Sequence, residues 1–260
     1  MDLREAAGAL GVHYQTAYGW VRQGVLPARK VGRGYAVRDS DVAALAARRR
    51  LGRDPLRPIH VRDWAAQADG LYAAIVQGDE TLARHRLGRL AGGVTTLDLC
   101  AQVIAPALRR VGDDWAAGQI SIAQEHRASA ICERLLATRS GQPAGRPRGI
   151  AVVATPPGER HGLPALMAAA CLREDRWLVH HLASDLPAGE VARLADQVGA
   201  GLVVLSSATA EGAGQADQAR QAITTARPGL TVLTGRPGDR LPDLLARAAS
   251  QHAPSGSEPS

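Results

Sequence analysis

The chain has 260 residues and a formal charge of +6, a length that allows two or three small domains, each with its own core. No run of about eighteen apolar residues exists, and MDLREAAGALGV at the N-terminus carries charges where a signal peptide needs an apolar stretch; no membrane partner is expected, and a cytoplasmic location is. Cys100, Cys132 and Cys171 are far apart and odd in number, which argues against a disulfide framework or a zinc site and for three small core residues.

The charge is unevenly placed. Ten of the 31 basic residues and only four of the 25 acidic ones lie in the first 53 positions, which leaves twenty-one of each in the remainder. A basic module is joined to a neutral one, and the expected partner of the first is a polyanion.

In chain order, Leu3, Ala6, Ala7 and Leu10 line one face of a first helix that breaks at Gly11, and a second amphipathic segment runs from Tyr14 to Gln23. ARKVGRGYAV then places two short stretches around Gly32-Arg33-Gly34, as a hairpin does, and Ser40 stands where it would cap a third helix bearing Val42, Leu45 and Ala46. The pattern GVxxxTxxxWxxxGxLP followed by a basic wing resembles the winged helix-turn-helix of MerR-type and excisionase-type DNA-binding proteins. That resemblance implies double-stranded DNA as partner, with His13, Tyr14, Gln15, Tyr18 and Arg22 in the major groove. Arg29, Lys30, Arg33 and Arg38 would hold phosphates, and Trp20, Val12 and Val21 would form the core. Residues 1–53 are assigned to this module, and the Arg/Pro-rich stretch after it is read as a linker.

Residues 54–140 are nearly free of strand signals. Helices are expected over 61–77, 79–91, 95–111 and 121–137, an antiparallel four-helix bundle with Gly112 to Gly118 as the last break. Ser121 and Gln124 form a capping box, which places Glu125 and His126 in the first turns of the last helix. These neighbours point about 100° apart, so at least one must face away from the bundle core.

After the Gly/Pro/Arg linker GQPAGRPRG, residues 148–250 alternate strand and helix. IAVVAT, a strand near 177–182, LVVLSS and LTVLTG are separated by helical segments, the pattern of a flavodoxin-like doubly wound parallel sheet, for which about five strands would fit. Ligands of such sheets bind beyond the carboxyl ends of the strands, where the loop PPGERHG places His161. Ser184-Asp185, Ser206 to Thr209 and Gly235 to Gly238 leave strands at the same edge. Residues 251–260 are expected to be a disordered tail, and no catalytic residue or enzymatic activity is expected.

Glu159-Arg160-His161, Ser206-Ser207 and Gly235 resemble the signature DxHxxG, S, GG of the cobalamin-binding domain of the methionine-synthase type. The resemblance implies that His161 is the lower axial ligand of cobalt, that Glu159 orients the ring through its other N–H, and that Ser206 and Ser207 line a channel for the nucleotide tail. Glu159 stands in place of Asp, Pro164 in place of the motif's glycine, and TGRPG has only one glycine of the final pair. WxxGxIxxxxEH, carrying Trp115, Glu125 and His126, resembles the corrinoid cap of CarH- and LitR-type photoreceptor repressors of the MerR family. In those, the tryptophan covers the upper face of adenosylcobalamin and the Glu-His pair contacts the adenosyl group. The resemblance, three motifs in that domain order, implies a cobalamin-dependent transcriptional regulator whose signal is either light or cobalamin itself and which acts as a dimer or tetramer. Ala116 follows the tryptophan where that family can have a histidine, so a bis-histidine photoproduct from that position is not open to this chain. The competing expectations are a corrinoid methyl carrier of a methyltransferase system, which shares the bundle and sheet, and a DNA-binding regulator with a degenerate or altered ligand site.

Overall fold

The computed structural model describes residues 1–12, 14–22, 26–32, 34–50, 63–90, 94–138, 141–142 and 146–250. His13, Arg33, most of the first linker and the tail 251–260 lie outside the described residues. The chain divides into two compact units, taken separately below.

In the first unit, α1 (Leu3–Ala9) starts in a capping box: the Asp2 carboxylate accepts from the N–H groups of Arg4 and Glu5, and the Glu5 side chain accepts from Asp2 N–H. Gly11, at φ +63°, turns the chain toward α2 (Tyr14–Arg22). Strands β1 (Ala28–Val31) and β2 (Gly34–Val37) pair antiparallel with Val31 opposite Gly34, the strand pairing of the expected hairpin. Helix α3 (Asp39–Arg50) begins one residue before the expected cap, so Ser40 lies inside its first turn. Asp39 and Asp41 put negative charge at the positive end of that helix, which favours the earlier start. Leu3, Ala6, Ala7, Leu10, Ala17, Trp20, Leu26, Val37, Val42 and Leu45 form one buried cluster, and Val12 and Val21 pack against it.

The second unit opens with α4 (Trp64–Gln77), capped by the Asp63 carboxylate and ended by left-handed Gly78, followed by α5 (Glu80–Leu90). Next comes one continuous rod: α6 (Thr96–Leu99), a π-helical turn (Cys100–Ile104) and α7 (Ala105–Ala116). The rod runs five residues past the expected stop at Val111. A single glycine costs a helix only about 1 kcal/mol, and Asp114 in the last turn is held by Tyr72 Oη–H, so Gly112 is carried and the chain turns instead at Gly118, φ +70°. Helix α8 (Ile122–Ala137) starts in the expected capping box, with Ser121 Oγ accepting from Gln124 N–H and Gln124 Oε1 accepting from Ser121 N–H. Helix α4 packs against α5, α7 and α8.

The α/β part consists of β3 (Ile150–Ala154), α9 (Leu163–Glu174), β4 (Leu178–His181), α10 (Ala188–Gln197), β5 (Leu202–Ser206), α11 (Ala210–Ala226), β6 (Thr231–Gly235) and α12 (Leu241–Ser250). Its parallel strands lie in the order β4-β3-β5-β6, so the described residues supply four strands where about five were expected. The direction of winding reverses between β3 and β5, and this is the topological switch point. Ala151 and Val153 face a cluster with α9 and α12, while Val152 and Ala154 face one with α10 and α11, which is why these strands read as unbroken apolar runs. Edge strand β4 is covered at Val179, whose C=O accepts from the Gln142 side-chain amide and whose N–H donates to it. Helices α6 and α8 pack on α9, joining bundle to sheet. All three cysteines are buried free thiols, and burial pushes Cys132 up to about 12.

Candidate functional site

Two separate surfaces carry chemistry. On the first unit, Tyr14 and Gln15 are exposed on α2, and the Tyr14 ring stacks on Tyr18 at 6.3 Å between centroids. Tyr18 in turn meets Tyr35 of β2 edge-on at 5.8 Å, so the second helix and the wing share one aromatic ladder. The Arg4 guanidinium lies 5.8 Å above the Tyr14 ring, a contact from α1 that the sequence pattern did not reveal. Arg29 and Lys30 are exposed on β1, while Arg38 Nε donates to Asp41 at 2.8 Å and is already partnered. Arg22 is the last residue of α2.

On the second unit, the switch point is bridged by one buried carboxylate. Glu159, 1% exposed, leaves the loop after β3, and its Oε1 accepts from His161 N–H at 2.9 Å and sits 2.6 Å from His161 Nδ1. Its Oε2 accepts from Ala208 N–H at 2.9 Å, Thr209 N–H at 3.2 Å and Thr209 Oγ–H at 3.0 Å, all in the loop after β5. Burial by itself raises the carboxyl pKa, but the His161 and Ala208 N–H groups, the His161 ring and the Thr209 hydroxyl outweigh it and hold Glu159 at about 2. An ionised carboxylate only accepts, so Nδ1 is the ring nitrogen that donates to it, and Nε2 is the one that the carboxylate leaves free of that contact. The side chain of His161 is 62% exposed, which makes that nitrogen accessible.

The other switch-point residues are small and close together. Ser206 and Gly235 are register partners, and both Ser206 and Ser207 are buried. Ser207 donates from Oγ–H at 2.8 Å and from N–H at 2.9 Å to Gly235 C=O, so its hydroxyl proton is committed to the sheet edge rather than offered to a ligand. Pro164 falls in the first turn of α9, where a missing N–H breaks no helical bond, and the helix forms undisturbed. Asp185, which the sequence placed only in a loop, accepts from Gly158 N–H at 2.7 Å and donates its own N–H to Thr155 Oγ at 2.9 Å, pinning the histidine loop from the other side.

At the α7–α8 turn, Trp115 is 48% exposed on the last helical turn. Glu125 is half-buried and accepts from Ser129 Oγ–H at 2.8 Å, while His126 is exposed with Nδ1 2.5 Å from Glu125 Oε2. The pair divides as its 100° offset demands, with one residue facing inward and one outward. The structure thus brings Trp115, Glu125 and His126 to one end of the bundle, and Glu159, His161, Ser206, Ser207 and Gly235 to one edge of the sheet. Among the described residues no hydrogen bond joins the two groups. Thr209 and Gly212, neither singled out by a motif, prove to shape the seat of Glu159.

Residues 1–50 match the helix-turn-helix domain family, and residues 67–139, the helical bundle, match the B12 binding domain family. The chain thus joins a helix-turn-helix domain to a B12 binding domain, the make-up of a B12-binding transcriptional regulator. The chain is similar to the HTH-type transcriptional repressor CarH of Myxococcus xanthus, 28% identical across 97% of this chain and 94% of that protein. Among solved structures, the monomethylamine corrinoid protein of Methanosarcina barkeri has the same fold, with a TM-score of 0.55 at 17% identity over 71% of this chain and 98% of that one.

The residues present fit a corrinoid. His161 offers one exposed ring nitrogen beside the buried Glu159 carboxylate, the single nitrogen donor that a metal already held by a corrin ring would need.

Proposed function

We propose that the chain is a cobalamin-dependent transcriptional repressor that takes adenosylcobalamin between the bundle and the sheet and responds to the cofactor or to its photolysis. The observation that carries this is the His161 ring: exposed at the switch point, with Nδ1–H fixed by a buried ionised Glu159 and Nε2 left as a nitrogen donor. When bound, cobalamin would supply a cobalt that takes a nitrogen donor from the protein and carries a group that light can remove.

In this reading His161 Nε2 would bind the cobalt, Glu159 would hold the ring's tautomer and direction, Ser206, Ser207 and Gly235 would line the space for the nucleotide tail, and Trp115, Glu125 and His126 would contact the adenosyl group. The bundle is tied to the sheet through α9, whose first turn follows His161, so a change in ligand contacts has a short route to the packing of bundle on sheet. The output is DNA binding by the N-terminal unit, through Tyr14, Gln15, Tyr18, Arg22 and the exposed wing residues Arg29 and Lys30, together with His13, Arg33 and Arg38. One small module binds DNA weakly, and a dimer or tetramer gains affinity by effective concentration. The protein acts in the cytoplasm and has no enzymatic role. Among the described residues no helix is long and apolar enough to cross a membrane. A methyl carrier has no use for a helix-turn-helix module, which counts against that alternative.

The test is the absorption spectrum of the protein mixed in the dark with adenosylcobalamin and desalted, before and after illumination, beside His161→Ala. Retention of a base-off, histidine-ligated corrinoid that His161→Ala loses is the expected result, with the change on illumination reporting the response to light. A protein that retains no corrinoid overturns the reading.

A further inference from the structure

Helix α11 lacks part of its own cap. Thr209 is the N-cap and its hydroxyl accepts from Gly212 N–H at 3.0 Å, but the residue at N3 is Gly212, which has no side chain to return to the cap. A capping box needs a carboxylate or amide there to accept the N-cap N–H. Glu159, 50 positions away in sequence, supplies it: Oε2 takes the N–H groups of Ala208 and Thr209 and the Thr209 hydroxyl, the place that an N3 glutamate would fill. The seat exists because Gly212 has no Cβ. One built there would stand 2.4 Å from Glu159 Oε2 and 2.9 Å from Thr209 Oγ1, closer than real Cβ atoms come, and 3.2 Å from Glu159 Cδ, a tight contact.

The same carboxylate holds His161 with its other oxygen, so one side chain spans the switch point from the loop after β3 to the first turn of α11. Aspartate, a methylene shorter, would not bridge both. We infer that Gly212 is a positioning residue for His161: by admitting Glu159 to the N-terminus of α11, it fixes which imidazole nitrogen is left as a donor and where it points. The inference rests on the cobalamin reading for what the ring serves, though not for how the ring is held.

The experiment compares full-length wild type, Gly212→Ala and Gly212→Ala/Glu159→Asp by ring ¹⁵N spectra without cofactor, by adenosylcobalamin affinity and by thermal unfolding. The His161 signals are identified by their loss in His161→Gln. Wild type is expected to show the Nδ1–H tautomer. Gly212→Ala, still folded, is expected to move toward the Nε2–H tautomer of a free imidazole and to lose about 10–100-fold in cobalamin affinity, the usual cost of disturbing a ligand's outer partner. The double variant, whose shorter carboxylate clears the new methyl group while still reaching His161, should regain the Nδ1–H tautomer but, without its tie to α11, only part of the affinity. An unchanged tautomer in Gly212→Ala overturns the pairing, and so does a double variant that stays shifted, because the methyl group would then act on the fold rather than on the carboxylate. A wild type with the ring held as described that binds no cobalamin overturns the cobalamin reading and upholds the seat.

Discussion

The carboxylate of Glu174, at the end of α9, accepts from both N–H and Oγ–H of Thr96, at 2.8 and 2.9 Å, and so ties the first turn of the bundle's third helix to the sheet. Helix α9 begins next to His161, and the rod that begins at Thr96 ends next to Trp115, so this contact joins the two elements that carry the two groups of site residues. Glu174→Ala removes two charge-assisted bonds from the N-terminus of α6 and is expected to cost about 1–2 kcal/mol. Urea denaturation followed through the second unit checks this; an unchanged midpoint would mean that α6 is adequately capped by Thr95 and Asp98 alone.

Glu159 sets an acid limit on stability. Its carboxyl is held at about 2 in the folded protein against a usual value of 4.5, so the stabilisation is fully present above 4.5 and is lost as pH falls from there through about 2. Urea midpoints measured from pH 7 to pH 2 should fall more steeply for wild type than for Glu159→Gln, which cannot ionise. Parallel curves would show that the carboxylate gains nothing from its seat.

Trp20 is the largest buried side chain of the first unit, and a core of ten clustered residues has little to spare. Trp20→Ala should cost about 3–5 kcal/mol, enough to unfold a module of this size. Specific DNA binding is expected to vanish while cobalamin retention by the second unit stays at the wild-type level. Loss of both together would contradict the division of the chain into two units.

Lys30 and Arg29 are exposed on the wing, where a phosphate contact releases one counterion. Lys30→Ala should weaken DNA binding evenly across sequences and reduce the slope of log K against log salt concentration by about 0.9. Tyr14→Ala should instead alter sequence preference and leave that slope unchanged, if as proposed the second helix meets base edges rather than phosphates. Fluorescence anisotropy at several salt concentrations separates the two outcomes.

Much of this molecule is local and therefore legible in the order of its residues. Apolar periodicity marks α1 and α2, the Ser121–Gln124 box marks where α8 starts, and the unbroken run at 150–154 marks a strand buried on both faces. The end of α7 was missed because a helix carries one glycine when a distant partner holds its last turn, and Tyr72, from α4, is that partner.

The sequence by itself determined the charged module, the order of domains and the presence of His161 beyond a strand end, since each depends on composition or on spacing along the chain. Only the tertiary structure decided what His161 can do. Its donor nitrogen is chosen by a carboxylate two residues away that is itself held by Ala208 and Thr209, and that seat is open because Gly212, more than fifty positions further along, has no Cβ. Strand order places those residues on either side of one crevice, and strand order is not written in any local pattern: it is set by which buried faces pack together once the whole sheet has formed.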